Sequence, residues 1–92
     1  MEGELQYEAS LTPGTGAPPH VHHEAGEAFV VLAGQDDFLI GDIHFLAATG
    51  AFVFVAHGTV HAFTHTGQDV ARLLITVAPG VQHEGFFRAA SE

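Results

Sequence analysis

Apolar and polar residues alternate along most of this chain with a period of two, which is the side-chain period of a β-strand. Leu5, Tyr7, Ala9 and Leu11 alternate with polar neighbours, a pattern that predicts a half-buried strand. Further short apolar runs, separated by turns rich in glycine, predict strands at 28–32, 38–40, 43–46, 51–55, 60–66 and 70–77. Short strands at this spacing predict an all-β barrel or sandwich.

The residues between these strands predict how the strands connect. Gly41-Asp42 predicts a tight hairpin with a two-residue turn, and residues 60–66 and 70–77 are expected to form another antiparallel pair. Prolines and glycines from Pro13 to Pro19 interrupt the alternation, so we expect an extended or turning loop that leads into His20. The tail, residues 82–90, departs from the pattern and predicts a short terminal helix or an extended flap.

Length and composition are those of a single globular domain, residues 1–92. The chain has 47% hydrophobic and 14% charged residues, which is too apolar for disorder. No apolar run approaches membrane-spanning length, and residues 1–10 lack the basic and apolar regions of a signal peptide. We therefore expect a soluble, cytoplasmic protein. Because the chain has no cysteine, disulfides and thiolate metal sites are excluded.

The charge balance excludes several classes of partner. Eleven acidic residues stand against Arg72 and Arg88, there is no lysine, and the formal net charge is −9. A chain with so few cations cannot neutralise phosphates, so we expect no nucleic-acid partner and no binding to anionic membranes. Schiff-base chemistry, which needs a lysine amine, is excluded as well.

Histidine is the residue type that points to chemistry, with eight in the chain. His20 and His22 stand two positions apart on an extended segment, so both side chains project from the same face. Glu27 lies five positions after His22 and can join them only if residues 23–26 form a turn. With His61 as a fourth ligand, three nitrogens and one carboxylate suit a borderline divalent metal.

A second histidine follows His61 on the same predicted strand. His61 and His65 share one face of that strand, about 13 Å apart along its axis. If His61 faces the interior of a barrel, His65 faces it too, but it lies too far along the strand to contact the same ion. We therefore predict that His61 is a ligand and that His65 lines the cavity.

Two glycine-framed motifs in the chain resemble those of the cupin family. Residues 16–34 read as G-x3-H-x-H-x4-E-x6-G, which is similar to the first cupin motif. Residues 50–65 read as G-x5-A-x-G-x2-H-x3-H, which is similar to the second, with Ala56 in place of the usual proline and His65 in place of the usual asparagine. Residues 18–32 and the tail, residues 71–88, look especially like small cupins of the quercetin dioxygenase-like group. The resemblance covers roughly residues 5–88.

The resemblance implies a fold, a metal site and an assembly. The implied fold is a compact double-stranded β-helix (jelly-roll) barrel, short at its N-terminus, because relatives carry further strands before the segment that matches 5–11. The implied site holds one divalent transition metal (iron, manganese, nickel, copper, cobalt or zinc) in the barrel mouth, on His20, His22, Glu27 and His61. A barrel wall left open by the short N-terminus predicts a homodimer in which a second chain covers the edge.

Three functions stay open at this point. The first is a metal-dependent dioxygenase that acts on a small aromatic or enolisable substrate, with Glu27 as ligand and base and His65 as a proton carrier. The second is a non-catalytic module that binds a metal and a small ligand, or a non-redox enzyme of the isomerase type. The third is a purely structural metal.

Overall fold

The protein is described by a computed structural model over residues 5–79. Within that range the chain forms eight β-strands and no helix, and hence no helix that could cross a membrane. The strands are β1 (Leu5–Leu11), β2 (Gly16–His20), β3 (Ala25–Ala33), β4 (Gln35–Ile40), β5 (Ile43–Ala48), β6 (Phe52–Val55), β7 (His61–His65) and β8 (Ala71–Pro79). The predicted terminal helix or flap at 82–90 lies outside the described residues.

The strands form two antiparallel sheets of four strands each. Sheet A has the order β1-β8-β3-β6, and sheet B has the order β2-β7-β4-β5. Within residues 5–79, every connection except the one between β4 and β5 passes from one sheet to the other. The prediction of an all-β jelly-roll is therefore confirmed.

The one connection that stays within a sheet is the predicted hairpin. Ile40 pairs with Ile43 across Gly41-Asp42, and Gly41 has a φ of 62°. Asp42 does not have a positive φ. A positive φ at the first of the two turn residues alone is typical of a type II′ turn with glycine first. The predicted pairing of residues 60–66 with 70–77 is wrong. β7 pairs with β2 and β4 in sheet B, whereas β8 pairs with β1 and β3 in sheet A.

The loop predicted between Pro13 and Pro19 contains a strand. Residues 16–20 form β2 on the edge of sheet B, and the pairing with β7 shifts in register between Ala17 and His20. Proline is tolerated here because an edge strand has one side on which no backbone donor is needed. The rigid Pro18-Pro19 pair therefore delivers His20 to the end of the sheet in extended form.

The core lies between the sheets and is built around three aromatic rings. The ring centroid of Phe29 lies 5.2 Å from that of Phe38 and 5.4 Å from that of Phe63. Aliphatic side chains from both sheets surround the rings, and all of them are buried: Val31, Val53, Val55, Leu73 and Ile75. The same core lies beneath His61, whose ring centroid is 6.4 Å from that of Phe29. The site described next therefore rests on close-packed side chains.

β1 is one of the two edge strands of sheet A. In the described part of the chain β1 pairs with β8 alone, and Leu5 and Tyr7 are 57% and 45% exposed. The predicted strand is present, but of its four apolar residues only Ala9 and Leu11 are partly buried. The predicted homodimer, with a second chain against this edge, stays a prediction.

Candidate metal centre

Four side chains from both sheets meet at one end of the sandwich. His20 is the last residue of β2, His22 follows two residues later, Glu27 lies on β3 and His61 is the first residue of β7. His20 and His61 are cross-strand partners in sheet B, while Glu27 reaches them from sheet A. One potential ligand atom from each of the four residues lies within 4.8 Å of the other three. The four residues named from sequence are thus brought together.

Glu27 stands among the imidazole rings. Its Oε1 lies 2.7 Å from Nε2 of His61 and 3.3 Å from Nε2 of His22. The ring centroids of His20 and His61 are 4.2 Å apart, and those of His20 and His22 are 5.1 Å apart. The four groups therefore surround one small volume.

Burial differs between the two sides of this cluster. Glu27 and His61 are 5% and 2% exposed, whereas His20 and His22 are half-buried. The cluster therefore opens toward solvent on the side of His20 and His22.

Two backbone carbonyls fix the orientation of the rings. Nδ1 of His20 lies 2.7 Å from the carbonyl oxygen of Pro18, and Nδ1 of His61 lies 2.8 Å from that of Thr59. Each Nδ1–H donates to its carbonyl, which leaves Nε2 as the nitrogen available to the cluster. Partners of this kind hold metal-binding imidazoles in one tautomer and one orientation. Sequence could not show them, because any residue type supplies a carbonyl.

The turn before β7 also holds the segment that carries His22. The backbone N–H of Gly58 donates to the carbonyl of His22 at 2.7 Å, and Nδ1 of His57 lies 3.3 Å from the carbonyl of His23. Gly58 has a φ of 80°, a left-handed conformation that favours glycine. Both cupin-like motifs thus contact each other through their backbones beside the cluster.

The electrostatics of the cluster favour positive charge at His61. Burial disfavours its charged form, but the hydrogen bond to Glu27, the hydrogen bond to the Thr59 carbonyl and the attraction of Glu27 outweigh it. The pKa of His61 is therefore raised above its ordinary value of 6.5. A buried carboxylate surrounded by imidazoles is a place where a cation is stabilised.

The donor set fits a divalent transition metal. Three imidazole nitrogens and one carboxylate oxygen are ligands for borderline metals, and the buried Glu27 supplies the negative charge that such an ion needs. Four protein ligands leave one or two positions on a five- or six-coordinate ion. The cluster could therefore hold one divalent metal ion of this class, such as iron, manganese, nickel, copper, cobalt or zinc.

His65 lies outside the cluster. It ends β7, is 1% exposed, and its ring contacts Gln35, Asp36, Gly67 and Asp69, none of which belongs to the four-residue cluster. Its role as a proton carrier for the cluster stays a prediction. Asp36 was missed from sequence because it stands in a run that predicts a turn, although it alternates correctly with Phe38 and Ile40 on the inner face of β4.

Comparison with known proteins adds a family and several similar folds. Residues 7–84 match a family profile described as "Cupin domain". The TT1209 protein of Thermus thermophilus superposes with a TM-score of 0.79 at 28% identity, over 83% of this chain and 72% of that chain. The cupin domain of Cnp3 from Schizosaccharomyces pombe superposes with a TM-score of 0.80 at 18% identity, over 86% of this chain and 58% of that chain.

A third similar structure is a predicted oxalate decarboxylase of Thermotoga maritima. Its TM-score is 0.79 at 23% identity, over 82% of this chain and 65% of that chain. At such identities the S. pombe and T. maritima structures show the fold alone, and this chain spans less than two thirds of either. No protein of curated function matches the chain in sequence.

Proposed function

The chain belongs to the cupin family, and from that premise we propose that it is a metal-dependent dioxygenase acting on a small aromatic or enolisable substrate. The observation that carries the proposal is the cluster of His20, His22, Glu27 and His61, with ligand atoms within 4.8 Å of one another and Glu27 buried among the rings. We propose these four residues as ligands of one divalent transition metal.

The partial exposure of the cluster supports a catalytic metal rather than a structural one. Structural sites are usually closed by protein ligands, whereas catalytic sites keep a position open for water or substrate. His20 and His22 are half-buried and face solvent, while the other two ligands are buried. The open positions on the ion would therefore lie on the accessible side.

A cleft beside His22 supports a small substrate. It is a shallow depression of about 390 Å³ that is largely open to solvent, and its apolar wall is formed by Val21, Ala25 and Pro79. His23 and Glu24 supply polar groups at the same cleft. We propose that the body of the substrate lies here, with its hydroxyl directed at the cluster.

The charge of the chain favours such a substrate over a phosphorylated one. Arg72, the one arginine within residues 5–79, donates from Nε to Oε2 of Glu8 at 2.6 Å and is thereby engaged on sheet A. Among the described residues, then, histidines are the only other cationic side chains that could face a ligand. This supports an enol or phenol over a sugar nucleotide.

The metal and the residues around it would each have a separate role in the reaction. The bound metal would supply a Lewis acid and, unless it is zinc, a redox partner for O₂. Glu27, the one carboxylate of the cluster, would accept the hydroxyl proton of the substrate. His61, whose Nε2 lies 2.7 Å from Oε1 of Glu27, would hold the ion next to that carboxylate. Phe29 and its aromatic neighbours would exclude water from beneath the site.

A non-catalytic metal-binding module is the second candidate. It is favoured by the small number of acid–base groups in the cluster. Among the described residues that form the cluster, Glu27 is the one ionisable side chain that is not a histidine. A non-redox reaction of the isomerase type would be favoured if the native metal is zinc. Elemental analysis of protein purified without added metal separates redox from non-redox chemistry.

The decisive experiment combines metal binding with oxygen uptake. Protein loaded anaerobically with iron(II) is mixed with a flavonol or a β-diketone, and O₂ consumption is measured. We expect one metal per chain and uptake that is lost in Glu27→Gln but kept in His44→Asn, a control at an exposed histidine on β5. Metal binding without uptake for any redox metal would support the binding module. Failure to bind a metal would overturn the proposal.

A further inference from the structure

Away from the metal centre, the sandwich buries an acid and a base together. Asp36 is 0% exposed and His65 is 1% exposed, and the two are cross-strand partners between β4 and β7. Nδ1 of His65 lies 3.1 Å from Oδ1 of Asp36. Buried ionisable groups are costly unless they are paired, so this pair needs a physical account.

Both nitrogens of the His65 ring face oxygen acceptors. Nδ1 lies 3.0 Å from the carbonyl of Gln35 as well as near Asp36, and Nε2 lies in short contact with the carbonyl of Asp69. The N–H of Gly67 also points at Nδ1, but at 3.4 Å it is longer than a normal hydrogen bond. A neutral imidazole has one N–H and cannot donate to both sides, whereas an imidazolium can.

The surroundings of Asp36 require a cation as well. Neither carboxylate oxygen has a hydrogen-bond partner in the described residues apart from the contact with His65. Asp36 is also the only ionisable side chain of residues 5–79 that contacts the His65 ring; Gly14 and Thr15 reach His65 through backbone hydrogen bonds alone. A protonated His65 therefore neutralises the one buried charge beside it.

We propose that His65 is a buried structural imidazolium, paired with Asp36, that holds the turn at residues 66–70 against β4 and releases it as the pH rises. The turn is held through the Asp69 carbonyl and the strand through Asp36 and Gln35, so a single ring connects the two elements. Loss of one ring proton would leave one of these oxygens facing a lone pair.

One glycine makes room for this ring. A Cβ at Gly67 would lie 2.9 Å from Cε1 of His65, closer than real contacts allow. Gly34 is required for other reasons: its φ is 91°, and a Cβ there would lie 2.9 Å from Cβ of Ala71. The space occupied by the imidazole at position 65 therefore depends on the missing side chain at Gly67.

Both ionisation equilibria are displaced toward the protonated form. The hydrogen bond to the Asp69 carbonyl is the largest influence on His65; together with the Gln35 carbonyl and Asp36 it outweighs burial and raises the pKa of His65 above 6.5. Burial is the largest influence on Asp36 and raises its pKa above 3.8, although His65 opposes it. The folded state thus binds protons more tightly than the unfolded chain, so stability falls as pH rises.

The pH dependence of stability that His65 causes has the opposite sign to that of metal binding. The contribution of His65 is complete below pH 6.5, its unfolded value, and is lost as the pH rises through its folded pKa. Metal ligands behave in the opposite way, since imidazoles bind metals better when they are deprotonated. A chelator removes the metal effect. His61, whose pKa is also raised, then contributes with the same sign as His65, so the effect of His65 is the difference between the wild type and His65→Asn.

The test is chemical unfolding between pH 5 and 9 in the presence of a chelator, together with ¹⁵N NMR of the histidine rings. We expect both nitrogens of His65 to carry protons at pH 7. Above pH 6.5 His65 should contribute up to a tenfold rise per pH unit in the unfolding equilibrium constant of the wild type, which is the linkage of one proton. His65→Asn should lose this one-proton part of the dependence and keep the part due to His61, and Asp36→Asn should lower the pH at which His65 titrates.

A matched control is available on the neighbouring strand pair. Nδ1 of His44 lies 3.8 Å from Oδ1 of Asp37, and the His44 side chain is 69% exposed. We expect His44→Asn to keep the wild-type pH dependence, because an exposed pair is screened by solvent. The proposal is overturned if His65 titrates below pH 6.5, or if His65→Asn unfolds with the wild-type dependence on pH. Should His65→Asn fail to fold, the NMR titration of the wild type decides alone.

Discussion

Replacing Phe29 with alanine tests how much of the stability of this small domain resides in the aromatic cluster beneath the metal centre. Phe29 is 0% exposed, and its ring meets those of Phe38 and Phe63 edge to face, at centroid distances of 5.2 and 5.4 Å. Phe29→Ala removes both aromatic contacts and leaves a cavity between two sheets that cannot collapse freely. Truncations of this kind cost about 3–5 kcal/mol.

That cost is large for a chain of 92 residues. At 0.05–0.15 kcal/mol per residue, a domain of this length has a free energy of unfolding of about 5–14 kcal/mol. We therefore expect Phe29→Ala to fold but to lose about a fifth or more of its stability. Since each kcal/mol shifts the melting temperature of such a domain by about 4–8 °C, the fall should be at least about 12 °C.

The assay is urea unfolding followed by circular dichroism, with a chelator in all samples so that metal binding does not add to the difference. Val60→Ala is the control, because Val60 is 45% exposed, and it should change the free energy by no more than about 0.5 kcal/mol. A loss below about 1 kcal/mol for Phe29→Ala, at an unchanged urea dependence, would show that the three rings are not tightly packed.

Two further predictions concern the elements that carry the ligands. Gly16→Ala would place a Cβ 2.0 Å from the carbonyl oxygen of Phe63, so we expect loss of the β2–β7 pairing. The melting temperature should fall further than for Gly14→Ala, because a Cβ at Gly14 meets nothing within 4 Å. The only cost of Gly14→Ala is its left-handed φ of 86°. Equal falls for the two variants would refute this. Because the proposed ligands are neutral imidazoles and the pKa of His61 is raised above 6.5, cobalt(II) affinity measured by calorimetry should weaken as the pH falls from 8 to 5. Constant affinity from pH 5 to 8 would contradict it.

Local chemistry made much of this fold predictable. The alternation from Leu5 to Leu11 marked β1, and Gly41-Asp42 marked the hairpin, because each depends on neighbours in sequence. The residues of the cluster could be named because two motifs of fixed spacing bring their donors together. These features need no knowledge of which strands pair at long range.

The errors arose where distant parts of the chain decide the structure. β7 and β8 are adjacent apolar strands, and nothing in either shows that each occupies a central position in a different sheet. Pro18-Pro19 argues against a strand unless it is known that β2 lies on an edge. Asp36 lies in the core because its partner is His65, 29 positions later, and a run of polar residues alone indicates a turn.

The order of the strands in sheet A has a consequence for how this protein is made. β1 pairs only with β8 among the described strands, in a register that joins Leu5 to Val77 and Leu11 to Ala71. During synthesis at 5–20 residues per second, β1 waits about 3–14 s before its partner exists. Of the pairings seen here, the β4–β5 hairpin can form first and the β3–β6 pair next, whereas β1 stays unpaired until β8 has left the ribosome. Topologies dominated by such distant pairings fold slowly, in milliseconds to seconds.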